Sequence, residues 1–71
     1  MCGILLKTFA SNLKKYRLEA GLSQEKLADL CELHRTYISD IERGERNISL
    51  SNVERLSKAL KIPASKLLEE E

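Results

Sequence analysis

Residues 24–43, QEKLADLCELHRTYISDIER, read as two short helices joined by a tight turn, and the rest of the chain reads as support for the second of them. At about 100° per residue, Leu27, Ala28 and Cys31 share the inward face of the first helix (residues 24–31), while Glu25, Asp29 and Glu32 fall on an outer stripe. Ser23 precedes this helix with an oxygen able to accept from the free N–H groups that open it. It is a cap without a full capping box, since Lys26 stands where the box needs a glutamate. The second helix (residues 35–43) puts Ile38 and Ile41 on one side and Thr36, Ser39, Asp40 and Arg43 on the other, with Arg35 and Tyr37 flanking the polar side. Gly44 stands where a helix ends in a left-handed turn. So short a helix buries little and needs neighbours.

Outward from this core the same periodicity continues. In residues 5–19, Leu6, Phe9, Leu13 and Tyr16 recur every three or four positions with Lys7, Lys14 and Lys15 outside, which predicts a helix that Gly21 ends. After the loop of residues 45–48, a helix begins at Ser49 or at Ser51, the latter in capping-box spacing with Glu54. Val53, Leu56 and Leu60 form its inward stripe, and Lys58 and Lys61 complement its C-terminal end. Pro63 stops it and suits the first turn of a last helix over residues 64–70, whose large apolar residues are Leu67 and Leu68. The closing run of three glutamates reads as a frayed, solvated tail. No stretch shows the alternation of a strand. The expectation is one all-α domain of five helices over residues 1–71, with the paired-helix motif at residues 23–43.

Composition narrows the function. A chain of 71 residues makes a single small domain whose core alone gives only a few kcal/mol, which favours oligomerisation. With one Phe, two Tyr and no Trp among 42% hydrophobic residues, the core must be aliphatic. The net charge of +1 is no basic footprint, but it is uneven: residues 1–20 carry four basic and one acidic residue, residues 21–33 one basic and three acidic. A surface that met a polyanion would have to turn its acidic groups away.

Cys2 and Cys31 have no matched spacing, and Cys31 with His34 is too few ligands for zinc. Cys31 reads as a small buried apolar group in a reduced cytoplasm, and no metal, cofactor or small-molecule ligand is expected. Ile4, Leu5 and Leu6 are too short an apolar run for a signal or membrane segment. One histidine, no nucleophile–base arrangement and no phosphate-binding glycine loop argue against an enzyme.

Gln24, Leu27, Ala28, Leu33, Ile38, Ile41, Glu42, Arg43 and Gly44 together resemble the helix-turn-helix of the Cro and phage-repressor type. Within that group RTYISDIERGERNIS (residues 35–49) is similar to the small controller proteins of restriction–modification operons. The resemblance covers roughly residues 9–68. It implies a compact five-helix repressor-like domain, and an ion pair of Arg17 with Glu42 tying the first helix to the third. One departure stands out: the turn between the two motif helices usually carries glycine where this chain has Glu32, at a strain of about 1 kcal/mol if the residue is left-handed.

As a reading helix, residues 35–43 supply side chains suited to base edges. Arg35 can donate two parallel hydrogen bonds to guanine, Thr36 can bond a base or offer its methyl to thymine, and Ser39 and Asp40 follow one turn later. Asp40 suits a cytosine amino group, or repels a wrong partner. Ser23 and Gln24 open the preceding helix, where free amides favour a phosphate, and Tyr37, Arg43, Arg46 and Asn47 read as backbone contacts. For Tyr37 the competing reading is partial burial; for the arginines it is plain solubility. His34 reads as structural or as a phosphate neighbour.

The implied function is a sequence-specific double-stranded DNA-binding regulator, the controller of a restriction–modification operon. It would act as a homodimer on a palindromic operator, activating at low occupancy and repressing at high, in the bacterial cytoplasm and nucleoid. Ile48, Leu50, Ile62 and Leu67, within the C-terminal helices of residues 50–70, are the expected dimer surface. Glu25 and Asp29 have two readings: a contact with RNA polymerase, which the resemblance implies, or a merely solvated acidic face. Rival functions are a phage-type repressor, an antitoxin, or a helical protein-interaction module.

Overall fold

The computed structural model describes residues 4–70; Cys2 and the last glutamate of the tail lie outside the described residues. Five helices follow in order: α1 (Ile4–Glu19), α2 (Gln24–Cys31), α3 (Arg35–Glu42), α4 (Leu50–Leu60) and α5 (Ala64–Leu67). No strand occurs among the described residues. The all-α expectation agrees with the structure, as do the bounds of α1, α2 and α3 to within a residue at each end, while α4 follows the earlier of its two expected starts.

One core joins all five. Phe9 and Leu13 of α1, Leu27, Ala28 and Cys31 of α2, Ile38 and Ile41 of α3, Val53, Leu56 and Leu60 of α4 and Leu67 of α5 are buried together. Leu6 and Tyr16, expected inward on α1, are only half-buried, and Tyr16 packs against the edge of that core. Fully burying one large aliphatic side chain is worth about 1.5–3 kcal/mol, so these residues rather than helix propensity hold the short helices in place.

The helix ends share a device. Gly21, Glu32, Gly44 and Lys61 all lie in the left-handed region, with φ of 73°, 59°, 72° and 60°. In each case the following N–H reaches back to a carbonyl of the last turn: Leu22 to Arg17, Leu33 to Ala28, Glu45 to Asp40 and Ile62 to Ser57. This closes the helix by satisfying orphan carbonyls. Glycine is free of strain there, whereas Glu32 and Lys61 carry a Cβ into it. Lys61, expected only as a charge complementing the dipole, is therefore also a strained terminator.

At the N-termini, Ser23 Oγ accepts from Lys26 N at 3.0 Å, as expected. Ser49, not Ser51, caps α4, accepting from Asn52 N at 3.2 Å with extended backbone at φ −79°, ψ 157°. Pro63 occupies the cap of α5 instead of its first turn, and α5 is a single turn that stops at Leu67, short of residue 70. A buried side chain that the sequence reading passed over explains where it stops. Asn12 of α1 donates through Nδ2 to the carbonyls of Leu67 (3.0 Å) and Glu69 (2.7 Å), and so secures the end of α5 against α1.

The fold overturns one interface assignment. Leu67 is fully buried, at 0% exposure, in the chain's own core and has no surface to offer a partner. Leu50, at the first position of α4, is 83% exposed, whereas Ile48 and Ile62 are half-buried against the core.

Candidate nucleic-acid interface

The interface is built from α3 upward. Ile38 and Ile41 are fully buried and fix the rotation of the helix about its axis. The residues about 180° away must then face out. Accordingly Arg35, Thr36 and Arg43 are exposed and Ser39 and Asp40 are partly so. The side chains of Arg35 and Thr36 make no hydrogen bond or ion pair with other described residues, which leaves their donors unspent.

A second fastening sets the tilt of α3. Arg17 Nε donates to Glu42 Oε2 at 2.7 Å and Arg17 Nη2 to Glu42 Oε1 at 3.1 Å, a two-pronged pair between side chains only 9% and 4% exposed. Arg17 Nη1 donates to the carbonyl of Leu22, so the guanidinium also anchors the turn before α2. The pair expected between the first and third helices is present. Bidentate geometry in a nearly dry setting makes it directional as well as strong.

Gln24 joins that pair, donating through Nε2 to Glu42 Oε1 at 3.1 Å. Part of its donor capacity is therefore spent inward; what remains toward a phosphate is its second side-chain N–H and its place at the first residue of α2. Tyr37 is half-buried, as its competing reading had it, and its hydroxyl oxygen accepts from Asn52 Nδ2 at 2.8 Å, linking α3 to α4. Its phenolic proton is not used in that bond.

Around the C-terminal end of α3 the charged groups engage one another. Arg43 donates to Ser39 Oγ at 3.1 Å and to the carboxylate of Asp40, and its Nε lies 3.4 Å from Glu45 Oε1. Arg46 Nη1 stands 4.0 Å from the other oxygen of Asp40, and its guanidinium lies over the ring of Tyr37 at 5.0 Å. The interface thus has two zones: open donors at Arg35 and Thr36, and a closed ionic cluster around Asp40. Sequence periodicity could place Asp40 and Arg43 on one side of the helix at i, i+3, a spacing at which such pairs form, but not weigh that pair against outside contacts. Asn47 is exposed beside the cluster.

Glu25 and Asp29 are exposed on α2, away from the core residues Leu27, Ala28 and Cys31. Cys31 is buried, its Sγ 3.7 Å from the carbonyl of Arg55. Burial pushes its thiol above the ordinary range, opposed by the charge of Arg55. No group of three or more metal-ligating side chains occurs among the described residues.

An exposed polar helix held at a fixed angle by the buried helix before it is the arrangement of a DNA-binding helix-turn-helix. The helix-turn-helix family model matches residues 13–67, and the chain belongs to that family. Within it, the chain is 55% identical over 62 residues to the control protein C.BamHI of Bacillus amyloliquefaciens, covering 86% of this chain and 76% of that one. It is 51% identical over 59 residues to the control protein C.SmaI of Serratia marcescens, covering 83% and 70%. Its fold superposes on the crystal structure of the restriction–modification controller protein C.AhdI from Aeromonas hydrophila with a TM-score of 0.85 and 45% identity, over 87% of this chain and 94% of that one. No helix among the described residues is long and apolar enough to cross a membrane.

Proposed function

We propose that this DNA-binding regulator is the controller of a restriction–modification operon, acting as a homodimer on a palindromic operator, activating at low occupancy and repressing at high. The observation that carries the reading is the open flank at Arg35 and Thr36, fixed outward by Ile38, Ile41 and the Arg17–Glu42 pair. The names and identity of the control-protein relatives support the operon assignment.

In this reading Arg35, Thr36, Ser39 and Asp40 face base edges. Ser23, Gln24, Tyr37, Arg43, Arg46 and Asn47 position the backbone. A single short reading helix covers too few bases for a promoter, so two copies would engage half-sites roughly 34 Å apart. The dimer surface centres on Leu50 and Ile48, which line one apolar depression with Leu5 and Leu68; Ile62, outside that depression, is its remaining member. Glu25 and Asp29 are exposed and clear of that surface, a position from which they would meet RNA polymerase.

Duplex binding measured by anisotropy between 50 and 200 mM salt tests the reading. Six to ten phosphate contacts per dimer weaken affinity by about 10³–10⁵ over that range. Affinity that ignores salt, or a complex holding one copy per operator, contradicts it. Reversing charge at Glu25 and Asp29 is expected to lower activated transcription and leave operator affinity unchanged; loss of operator affinity instead removes the polymerase assignment.

A further inference from the structure

Both oxygens of the Asp40 carboxylate face an arginine. Oδ1 accepts from Arg43 Nη2, and Oδ2 lies 4.0 Å from Arg46 Nη1. Arg43 and Arg46, three and six residues after Asp40, each face a different oxygen of its carboxylate, and both are about half exposed, at 55% and 52%, against 26% for Asp40. Ser39 Oγ holds the second prong of Arg43, and the Tyr37 ring supports Arg46 from the other side. The free chain therefore presents its two backbone-positioning cations already occupied by an anion of its own.

We propose that Asp40 is a specificity filter: in the free chain its carboxylate takes the place of a DNA phosphate between Arg43 and Arg46, and it is given up at full gain only on the correct duplex. This deepens the reading of α3 as the DNA-contacting helix and rests on it. The physical reason is an exchange. Binding to random duplex is almost wholly phosphate neutralisation, so every cation already paired contributes less to it. When the two arginines turn to phosphates, the released carboxylate is left facing the groove. There it is tolerated against a base with an amino donor, the cytosine N4 or adenine N6 group, and is repelled by guanine O6 and N7 or thymine O4. A correct operator would place such a donor opposite Asp40 in each half-site, whereas random sequence places cytosine or adenine there only about half the time. Asp40 thus lowers non-specific affinity more than specific affinity. Because the ion pairs are exposed, their exchange is inexpensive and the correct site is not blocked.

The test compares binding of the full chain to two duplexes, one selected by the wild-type chain from a random pool and one of scrambled sequence. Asp40→Asn is expected to tighten binding to the scrambled duplex by roughly 3- to 10-fold, the scale of one or two surface ion pairs, while on the selected duplex the lost amino contact works against that gain, so that the ratio of selected to scrambled affinity falls by roughly the same factor. The gain must disappear when Arg43→Ala is already present. Glu54→Gln, which removes an exposed charge elsewhere, is expected to shift both duplexes equally. Asp40→Ser carries the same expectation if the asparagine variant folds poorly by circular dichroism. Equal tightening on both duplexes, or a gain that survives Arg43→Ala, overturns the filter and leaves DNA binding intact. A wild-type chain that binds neither duplex overturns the DNA-binding reading and the filter together.

Discussion

Arg17 and Glu42, twenty-five residues apart, meet in a two-pronged ion pair that fixes α3 against α1. Removing one partner of such a pair strands the other in a site less than a tenth exposed, at about 3–5 kcal/mol. Glu42→Ala is therefore expected to consume most of the stability of so small a domain, read as the urea midpoint. Replacing both residues with apolar ones of similar volume is expected to cost less than either single change. A loss below about 1 kcal/mol for Glu42→Ala would mean that the pair behaves as an exposed one.

Glu32 and Lys61 each hold a Cβ in left-handed backbone, at φ 59° and 60°. Glu32→Gly and Lys61→Gly are each expected to raise stability by up to about 1 kcal/mol, the relief of strain being partly offset by glycine's unfolded-state entropy. Glu32→Ala keeps the strain and is expected to lie below Glu32→Gly. Thermal midpoints of the three variants check the order; an alanine at least as stable as the glycine contradicts it.

Asn12 supplies the hydrogen bonds that end α5, reaching the carbonyls of Leu67 and Glu69. Asn12→Ala leaves those acceptors without their donor and is expected to cost about 1–3 kcal/mol. Amide exchange should quicken in α5 before it does in α3. Uniform quickening across the chain would place the role of Asn12 elsewhere.

The Cys31 thiol is raised above its ordinary range by burial, against the opposing charge of Arg55. A thiol with a raised folded pKa adds stability that is complete below its unfolded pKa and is lost as pH climbs toward the folded value. Stability in a Cys2→Ser background is thus expected to fall above the normal thiol range, and Cys31→Ala is expected to flatten that decline. A decline of equal slope in both chains assigns it to other groups.

What could be read in advance divides along a physical line. Helical periodicity located α1 to α4 because Phe9, Leu13, Leu27, Ile38, Leu56 and their neighbours recur at core spacing, and burial enforces that spacing. The outward flank at Arg35 and Thr36 was legible for the same reason, as the complement of Ile38 and Ile41. Contacts between distant polar groups were not, apart from the Arg17–Glu42 pair, which the family resemblance implied. Neither Asn12 reaching Glu69 nor Asn52 reaching the Tyr37 hydroxyl leaves a periodic trace. Leu67 was misassigned because an apolar residue near a chain end looks alike whether it faces its own core or a partner; only the turn at Pro63 decides, and it folds α5 back onto α1 and α4.

The central claim is that α3 reads base pairs through the flank that begins at Arg35. Selection from random duplexes, with the wild-type chain and with Arg35→Ala, tests it most directly. The wild type is expected to select a two-fold motif. Arg35→Ala is expected to lose one guanine preference in each half-site, at a cost of about 1–3 kcal/mol. The same motif selected by both chains, with the guanine intact, would contradict the account.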